Sequence, residues 1–131
     1  MEKTVFPSGH QFPHAWRVGN LVFVSGQVSL APDGSIVGPG DIELQTRTTF
    51  ENLRRVLREV GCDTGDLVRL NTYLVFEGPE ADFADFWSRM NRVRSEYLSE
   101  PGPTATAVRV CGLARPGLLI EVDGIAATEA P

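Results

Sequence analysis

The chain contains almost no lysine: of its 12 basic residues, only Lys3 is a lysine and the others are arginines. Lys3 lies in an N-terminal segment that we expect to be mobile, where no neighbouring group is expected to activate its amine. Catalysis through a lysine Schiff base is therefore not expected, because that chemistry needs an activated amine.

Candidate metal and redox ligands are also few. Cys62 and Cys111 form no C-x-x-C motif, so we expect two reduced, partly buried thiols rather than a redox pair or a zinc site. His10 and His14 are four residues apart, a spacing that would join them on a helix. The prolines of this segment make it extended instead, so no metal is expected.

No apolar run approaches the roughly 20 residues of a membrane-spanning helix, and the N-terminal MEKTVFPSGH lacks the apolar centre of a signal peptide. We therefore expect a cytoplasmic protein without a membrane partner. The formal net charge is −5, and no basic stripe is available for phosphates. Nucleic acid is not an expected partner.

Residues 1–131 are expected to form a single domain, because the chain has no repeats and its Pro/Gly clusters only separate periodic segments. A hairpin is predicted over 16–18 and 21–25, around a turn at Gly19-Asn20. The chain then continues through 27–30 and turns at 32–35. Later strands are predicted over 66–76, 104–111 and 118–126, the last two joined by a turn at 115–117.

Two amphipathic helices are predicted. The first starts at Ile42, with Asp41 as its N-cap, and ends before Gly61. Its apolar stripe is Phe50, Leu53, Val56, Leu57 and Val60. The second starts at Pro79 and must stop before Pro101. Its stripe, interpreted as core, is Phe83, Phe86, Trp87, Met90, Val93, Tyr97 and Leu98. The element order predicts an α+β fold, in which two helices cover one face of a single, mostly antiparallel sheet of about six strands.

Alternation along the strands predicts which side chains share the uncovered face. We expect Val68 to lie under the helices with Leu70, Thr72, Leu74 and Phe76, and the valines of 104–111 to lie there with Ile120 and Val122. The opposite face then carries Phe23, Ser25, Ala105, Ala107, Arg109, Leu119, Glu121 and Ile125. Such a mixture is too apolar for solvent alone and suits a symmetric oligomer with ligand pockets between subunits.

Three stretches together are similar to those of one known family. They are 17–27, with Val24-Ser25-Gly26-Gln27 at its centre; Gln45-Thr46 and Glu51-Asn52-Leu53 in the first helix; and 103–113, followed by Ile120-Glu121-Val122 and Ile125-Ala126. On these residues the chain resembles the Rid family, the YjgF-type reactive intermediate deaminases, over nearly its whole length.

The resemblance implies a chorismate-mutase-like fold assembled as a homotrimer, with three clefts between subunits. It also implies hydrolysis of enamines and imines to a ketone and ammonia, without a metal or organic cofactor. In that family an arginine after a Pro-Ala pair grips the substrate carboxylate, and a glutamate of the last strand positions the attacking water.

The sequence matches this pattern in part. Glu121 matches the glutamate, and Gly26 the glycine whose backbone lines the pocket, next to Ser25. The family's aromatic hydroxyl aligns with Phe12 or is lost among Phe12-Pro13-His14. Ala105 stands where the arginine is expected, which removes a charge-assisted pair of about 2–5 kcal/mol when desolvated.

The roles of the candidate residues have alternatives. Arg109 lies about 7 Å beyond Ala105 along the strand, so it is either a relocated anchor or an interfacial partner of Glu121 or Asp123. Glu121 either activates water or forms an ion pair across the interface. Asp123 is interpreted as a structural partner. His14 is a candidate polar group or acid at the cleft edge, and Ala107 is a candidate wall of the cleft.

The function predicted from the sequence is a cofactor-independent enzyme that deaminates a small imine, enamine or related intermediate in an inter-subunit cleft. Its substrate is not the usual amino-acid-derived 2-imino acid, because Ala105 cannot hold the carboxylate. The alternative is a trimeric binding or interaction protein that kept the fold without the deaminase activity.

Overall fold

The computed structural model describes residues 2–129, which form one sheet and two α-helices. The elements are β1 (Lys3–Phe6), β2 (Ala15–Val18), β3 (Leu21–Val28), α1 (Ile42–Glu59), β4 (Leu67–Leu74), α2 (Phe83–Ser95), β5 (Thr104–Arg109) and β6 (Ile120–Ala127). The strand order in the sheet is β1-β2-β3-β6-β4-β5. Of these pairs, β4 and β5 run parallel and the others antiparallel. The predicted α+β fold with a mostly antiparallel sheet is confirmed.

The hairpin and the first helix follow from local sequence. Val18 pairs with Leu21 across the predicted turn, where Gly19 has a φ of 60° that favours glycine. At the start of α1, the Asp41 carboxylate accepts a hydrogen bond of 3.0 Å from the backbone N–H of Leu44. These features confirm the predicted hairpin and N-cap.

No helix within residues 2–129 has the length and apolar character needed to cross a membrane.

The second helix and the N-terminus differ in detail from the prediction. A 3₁₀ turn over Glu80–Asp82 separates Pro79 from α2, which begins at Phe83. The N-terminal residues are not a loose segment, because β1 pairs with β2 and places Lys3 beside Val18. The expected mobility of Lys3 is therefore wrong, since backbone pairing anchors it to the sheet edge.

Both helices pack on one face of the sheet. The predicted stripe contributes to the core: Met90, Val93 and Tyr97 are buried, and Phe83, Phe86, Trp87 and Leu98 pack against the core. Tyr97 and Leu98 lie beyond the end of α2 at Ser95, so the helix is shorter than the predicted stripe. Phe50 of α1 stacks on Tyr97, with ring centroids 5.3 Å apart. Both cysteines are free thiols, but only Cys62 is buried, and Cys111 is exposed.

The pairing of β4 with β5 contradicts one predicted face. Three buried residues of β4 face the helices, and they are Leu70, Thr72 and Leu74. Their partners in β5 are Ala105, Ala107 and Arg109. Because paired residues of adjacent strands project to the same side, these three lie on the helix side and Val108 on the open side. The prediction failed because β5 is an exposed edge strand, in which apolar residues do not mark a core.

The start of β4 also differs from a regular alternation. The pairing of β4 with β6 shifts between Leu67 and Arg69, which is the signature of a β-bulge. Leu67 is buried and Val68 is 45% exposed. The prediction that Val68 lies in the core with Leu70 is therefore wrong.

Candidate active site

Glu121 lies on the open face at the centre of the sheet. Its strand β6 runs between β3 and β4, and the flanking residues Ile120 and Val122 are fully buried. The Glu121 side chain therefore projects from the face opposite the helices, where its partner in β4 is Tyr73. The predicted placement of Glu121 on the uncovered face agrees with this register.

Gly26 makes room for the Glu121 carboxylate. The pairing of β3 with β6 shifts at this point in a β-bulge, where Ser25 and Gly26 together lie opposite Asp123. A Cβ at position 26 would lie 2.5 Å from Oε2 of Glu121, well inside the contact distance of two such atoms. Glycine at this position therefore lets the carboxylate rest against the backbone of β3.

The two carboxylates of β6 have different surroundings. Asp123 accepts a hydrogen bond of 2.7 Å from Nδ2 of Asn71, and hydrogen bonding to Asp123 raises the pKa of the Tyr73 hydroxyl. Glu121 has no hydrogen-bonding partner among residues 2–129. Burial, and after it the charge of Asp123, raises the pKa of Glu121. A half-buried carboxylate of raised pKa without a partner is suited to accept and return a proton.

Ser25 is adjacent to this carboxylate, but its hydroxyl already has a partner. Its Oγ donates a 2.6 Å hydrogen bond to the carbonyl oxygen of Pro13, and its backbone N–H donates to the carbonyl oxygen of His14 at 2.9 Å. The residue therefore fixes the segment before β2 against the bulge of β3. Its hydroxyl oxygen can still accept a hydrogen bond from a ligand.

Arg109 is paired elsewhere within the chain. Its Nη1 donates to both carboxylate oxygens of Glu80, at 2.8 and 3.0 Å, and its guanidinium lies 4.0 Å from the ring centroid of Phe83. The hydrogen bond from Arg109 lowers the pKa of the Glu80 carboxyl. Pairing of Arg109 with Glu121 or Asp123 across a subunit interface stays a prediction.

A cavity of about 410 Å³ opens beside Arg109, between α2 and β5. Its lining is largely aromatic and aliphatic, and consists of Leu74, Phe83, Trp87, Ala107, Val108 and Arg109. Ala105 lies two residues before Ala107, on the same side of the edge strand. The small side chains of β5 thus leave space under α2 and not on the face that carries Glu121.

Phe12 and His14 are not gathered around Glu121. Phe12 is 57% exposed, and its ring is stacked 6.0 Å from that of His10. Nδ1 of His14 lies 3.7 Å from Oε2 of Glu59 at the end of α1, so the imidazole points to the helix side. Both histidines line a cleft of about 550 Å³, but no three potential metal ligands come together within residues 2–129.

Sequence reasoning overlooked one charged residue near the α2 cavity. The guanidinium of Arg94 lies over Trp87, with Cζ 5.2 Å from the ring centroid, and Trp87 lines the cavity. Arg94 follows Trp87 by seven residues, a spacing that places both on one helix face. An arginine within an otherwise apolar helical stripe is the signal that could have identified it.

Comparison with known proteins gives consistent matches over nearly the whole chain. A model of the family described as endoribonuclease L-PSP matches residues 3–128. A RutC family protein of Pyrococcus abyssi is 38% identical over 128 residues, which cover 98% of this chain and 94% of the relative. The 3-aminoacrylate deaminase RutC of Acinetobacter baylyi is 32% identical over 112 residues, covering 86% and 82%, respectively.

Solved structures match the fold over the same length. RidA from an Antarctic Psychrobacter superposes with a TM-score of 0.76 at 28% identity, covering 95% of this chain and 94% of RidA. A member of the YjgF/YER057c/UK114 family from Mycobacterium tuberculosis gives a TM-score of 0.79 at 26% identity, covering 97% of this chain and the whole of its own.

Proposed function

The chain belongs to the Rid/YjgF family, and from this we propose that it is a cofactor-independent deaminase that hydrolyses a small imine or enamine. One observation carries the proposal beyond family membership. The carboxylate of Glu121 rests against Gly26 at the sheet centre, half-buried, with a raised pKa and without a protein partner among residues 2–129.

The chemistry assigned to Glu121 is transfer of protons to and from water. The carboxylate orients a water molecule and takes one of its protons while the oxygen attacks the carbon of the C=N bond. The same proton then passes to the nitrogen, which gives a carbinolamine. The carboxylate next moves the remaining hydroxyl proton to the nitrogen, the C–N bond breaks as the C=O bond forms, and a carbonyl compound and ammonia leave. An enamine enters this sequence after protonation of its carbon. A raised pKa strengthens the carboxylate as a base and so suits this proton transfer.

The complete cleft is proposed to lie between two subunits of a homotrimer. Glu121 projects from the open face, whereas Ala105, Ala107 and Arg109 project toward the helix side. Residues on opposite faces of one sheet cannot contact the same small substrate. A cleft that uses both sets therefore takes Glu121 from one subunit and the cavity beside β5 from its neighbour.

Exposed apolar residues on the open face support this assembly. Val5, Trp16, Phe23 and Ile125 occupy consecutive register positions across four strands. The exposed fraction is 45% for Val5, 43% for Trp16 and 42% for Phe23. A contiguous apolar row of this kind is typical of a surface covered by another subunit.

The proposed substrate is not the usual 2-imino acid, because Ala105 offers no charge to a carboxylate at that position. The site is poorly suited to cleavage of RNA, although the matching family is described as endoribonuclease L-PSP. The net charge of −5 and the neighbouring carboxylates of Glu121 and Asp123 both repel phosphates.

Turnover by the Glu121→Gln variant tests the proposed chemistry. Imines are generated in situ by amino-acid oxidases and by amine oxidases, and their decay is followed with each protein. We expect a loss of at least about 100-fold in Glu121→Gln, because glutamine cannot accept the proton. Glu77→Gln, which changes an exposed glutamate, is the matched control and should keep full activity. No acceleration for either imine set, together with tight metabolite binding, would favour the binding protein.

Complementation tests the shared cleft. Glu121→Gln and Ala107→Trp should each abolish activity, the first by loss of the base and the second by filling the cavity. When the two are co-expressed, mixed trimers contain clefts with both intact halves, so activity should partly return. Inactive mixed trimers, or a protein that sediments as a monomer, would contradict a cleft shared between subunits.

A further inference from the structure

We propose that Arg94 is the anion-binding residue of the cavity between α2 and β5, where it holds a carboxylate of the substrate. The inference that Arg94 binds carboxylates depends only on the contacts and burial of this residue, and not on the proposed function. The identity of the ligand as a substrate rests on the proposed function. The two statements are therefore tested by different measurements.

The polar contacts of Arg94 leave its charge uncompensated. Nη2 donates to Oδ1 of Asn91 at 2.8 Å and Nη1 lies 3.4 Å from Oγ1 of Thr72, and both partners are neutral. Nε is buried and has no hydrogen-bonding partner. No carboxylate within residues 2–129 lies within 4.0 Å of the guanidinium.

The other arginines of α2 provide a direct contrast. Arg89 and Arg92 both pair with the carboxylate of Glu43, and Arg92 has an exposed side chain. Arg94 is more enclosed than Arg92, and burial lowers its pKa. A partly buried guanidinium without an acid carries a desolvation cost that a bound anion would offset.

The guanidinium lies beside the cavity rather than in a sealed core. It lies over Trp87, which lines the cavity, and next to Thr72, whose partner in the adjacent strand is the cavity residue Ala107. A carboxylate at the guanidinium would therefore have its carbon chain directed along Trp87. The Phe83 side of the same cavity then receives the apolar end of the ligand.

This placement defines the substrate class. The anion is held by α2 and not by position 105 of β5, so the carboxylate does not occupy the place it has in a 2-imino acid bound by a strand arginine. We infer an imine or enamine whose carboxylate is separated from the C=N carbon by an apolar segment. Arg109 is less suited to this role, because it already pairs with a carboxylate of the chain, that of Glu80.

Fluorescence of Trp87 reports binding directly. Trp16→Phe leaves Trp87 as the one remaining tryptophan, and this protein is titrated with acetate, butyrate and hexanoate and with the corresponding neutral amides. We expect carboxylates to bind more tightly than amides, and hexanoate more tightly than acetate. Arg94→Met in the same background should weaken carboxylate binding by about tenfold or more and leave amide binding unchanged.

Two further variants separate anion binding from a merely structural role. Arg94→Lys keeps the charge and should restore part of the preference for carboxylates over amides. Arg92→Met removes a neighbouring charge of the same helix and should change nothing. If Arg94 only supported Trp87, Arg94→Met would weaken carboxylates and amides equally, and that result would overturn the proposal. Equal affinity of Arg94→Met and its Trp16→Phe parent for carboxylates would also overturn it.

Turnover provides the second readout. With imines that do and do not carry a distal carboxylate, Arg94→Met should raise KM about tenfold for the carboxylate series and leave kcat nearly unchanged. Equal effects on both series would contradict the substrate assignment. If no imine is hydrolysed but carboxylates bind through Arg94, the proposed function fails and the anion site stands.

Discussion

The two faces of the sheet differ in whether other parts of the chain cover them. The covered face is closed by the chain's own helices, and its side chains are buried and mainly apolar, as in Val22, Leu70 and Ile120. The open face carries Trp16 and Phe23, each more than 40% exposed, together with the carboxylates of Glu121 and Asp123. Folding of the single chain is therefore enough to bury the side chains of the covered face. On the open face it leaves large apolar side chains exposed, and burial within the chain does not explain them.

Buried polar groups sharpen the same comparison. Gln45 of α1 is fully buried, but its amide donates to the carbonyl oxygens of Gly38 and Gly117 and accepts from the N–H of Leu119. Both the nitrogen and the oxygen of the Gln45 amide are thus hydrogen-bonded within the protein, and the role of this residue is structural. Glu121 and Arg94 have groups without partners, and such groups mark sites where a ligand is expected.

Shortening a side chain on the covered face should have the largest effect on stability. Leu70→Ala removes buried carbons beneath the helices, and we expect the free energy of unfolding to fall by about 2–5 kcal/mol. The matched variant is Val68→Ala, two residues earlier on the same strand, where the side chain is 45% exposed. Its effect should be within about 0.5 kcal/mol. Equal losses in urea unfolding would contradict the assignment of the two residues to different environments.

Two glycines of the sheet separate stability from activity. A Cβ on Gly124 would lie 2.6 Å from the carbonyl oxygen of Arg69, which is backbone and cannot move aside, whereas a Cβ on Gly26 would meet only the end of the Glu121 side chain. Gly124→Ala should therefore lower the free energy of unfolding by about 1–3 kcal/mol. Gly26→Ala should leave stability almost unchanged and reduce kcat by about tenfold or more, because the carboxylate is displaced.

These two variants are measured by urea unfolding and by imine turnover. Wild-type kcat in a well-folded Gly26→Ala protein would show that the carboxylate does not need its place against β3. A loss of stability in Gly26→Ala as large as in Gly124→Ala would show instead that the bulge of β3 is rigid around position 26.

Local rules were sufficient to predict much of the fold. Asp41 and Gly61 bound the first helix because capping and positive φ depend on a few adjacent residues. The direction of Glu121 followed from alternation, since β6 lies inside the sheet and its apolar residues are the buried ones. Where a strand is covered on one face, its sequence pattern records which face that is.

The site required information that local rules do not contain. Alternation in β5 predicts that its valines are buried, but β5 is an exposed edge strand, in which alternation does not indicate burial. The direction of its side chains is set by strand pairing, in which Ala105 lies beside the buried Leu70. The contact of Arg94 with Thr72 joins residues 22 positions apart, through the packing of α2 on β4. The placement of Glu121 and the β5 cavity on opposite faces likewise depends on register, so the sequence analysis assigned to one face residues that lie on two.

The smallest predicted effect is a change in pH dependence on the open face. Asp123 raises the pKa of Glu121, although burial is the larger cause. Asp123→Asn removes the negative charge, so the pKa of Glu121 should fall. Because the base must be ionised to act, the acidic limb of the kcat/KM profile should move to lower pH. Asparagine can still accept the hydrogen bond from Asn71, so the fold should be retained.

The profile is best measured with a neutral imine, since a charged substrate would add the titration of its own groups. Asp85→Asn, an exposed change on α2, is the control and should leave the limb in place. A limb that moves to higher pH in Asp123→Asn would exclude repulsion between the two carboxylates as a cause of the raised pKa. A limb that stays fixed in Asp123→Asn and disappears with Glu121→Gln would assign the shift to burial alone.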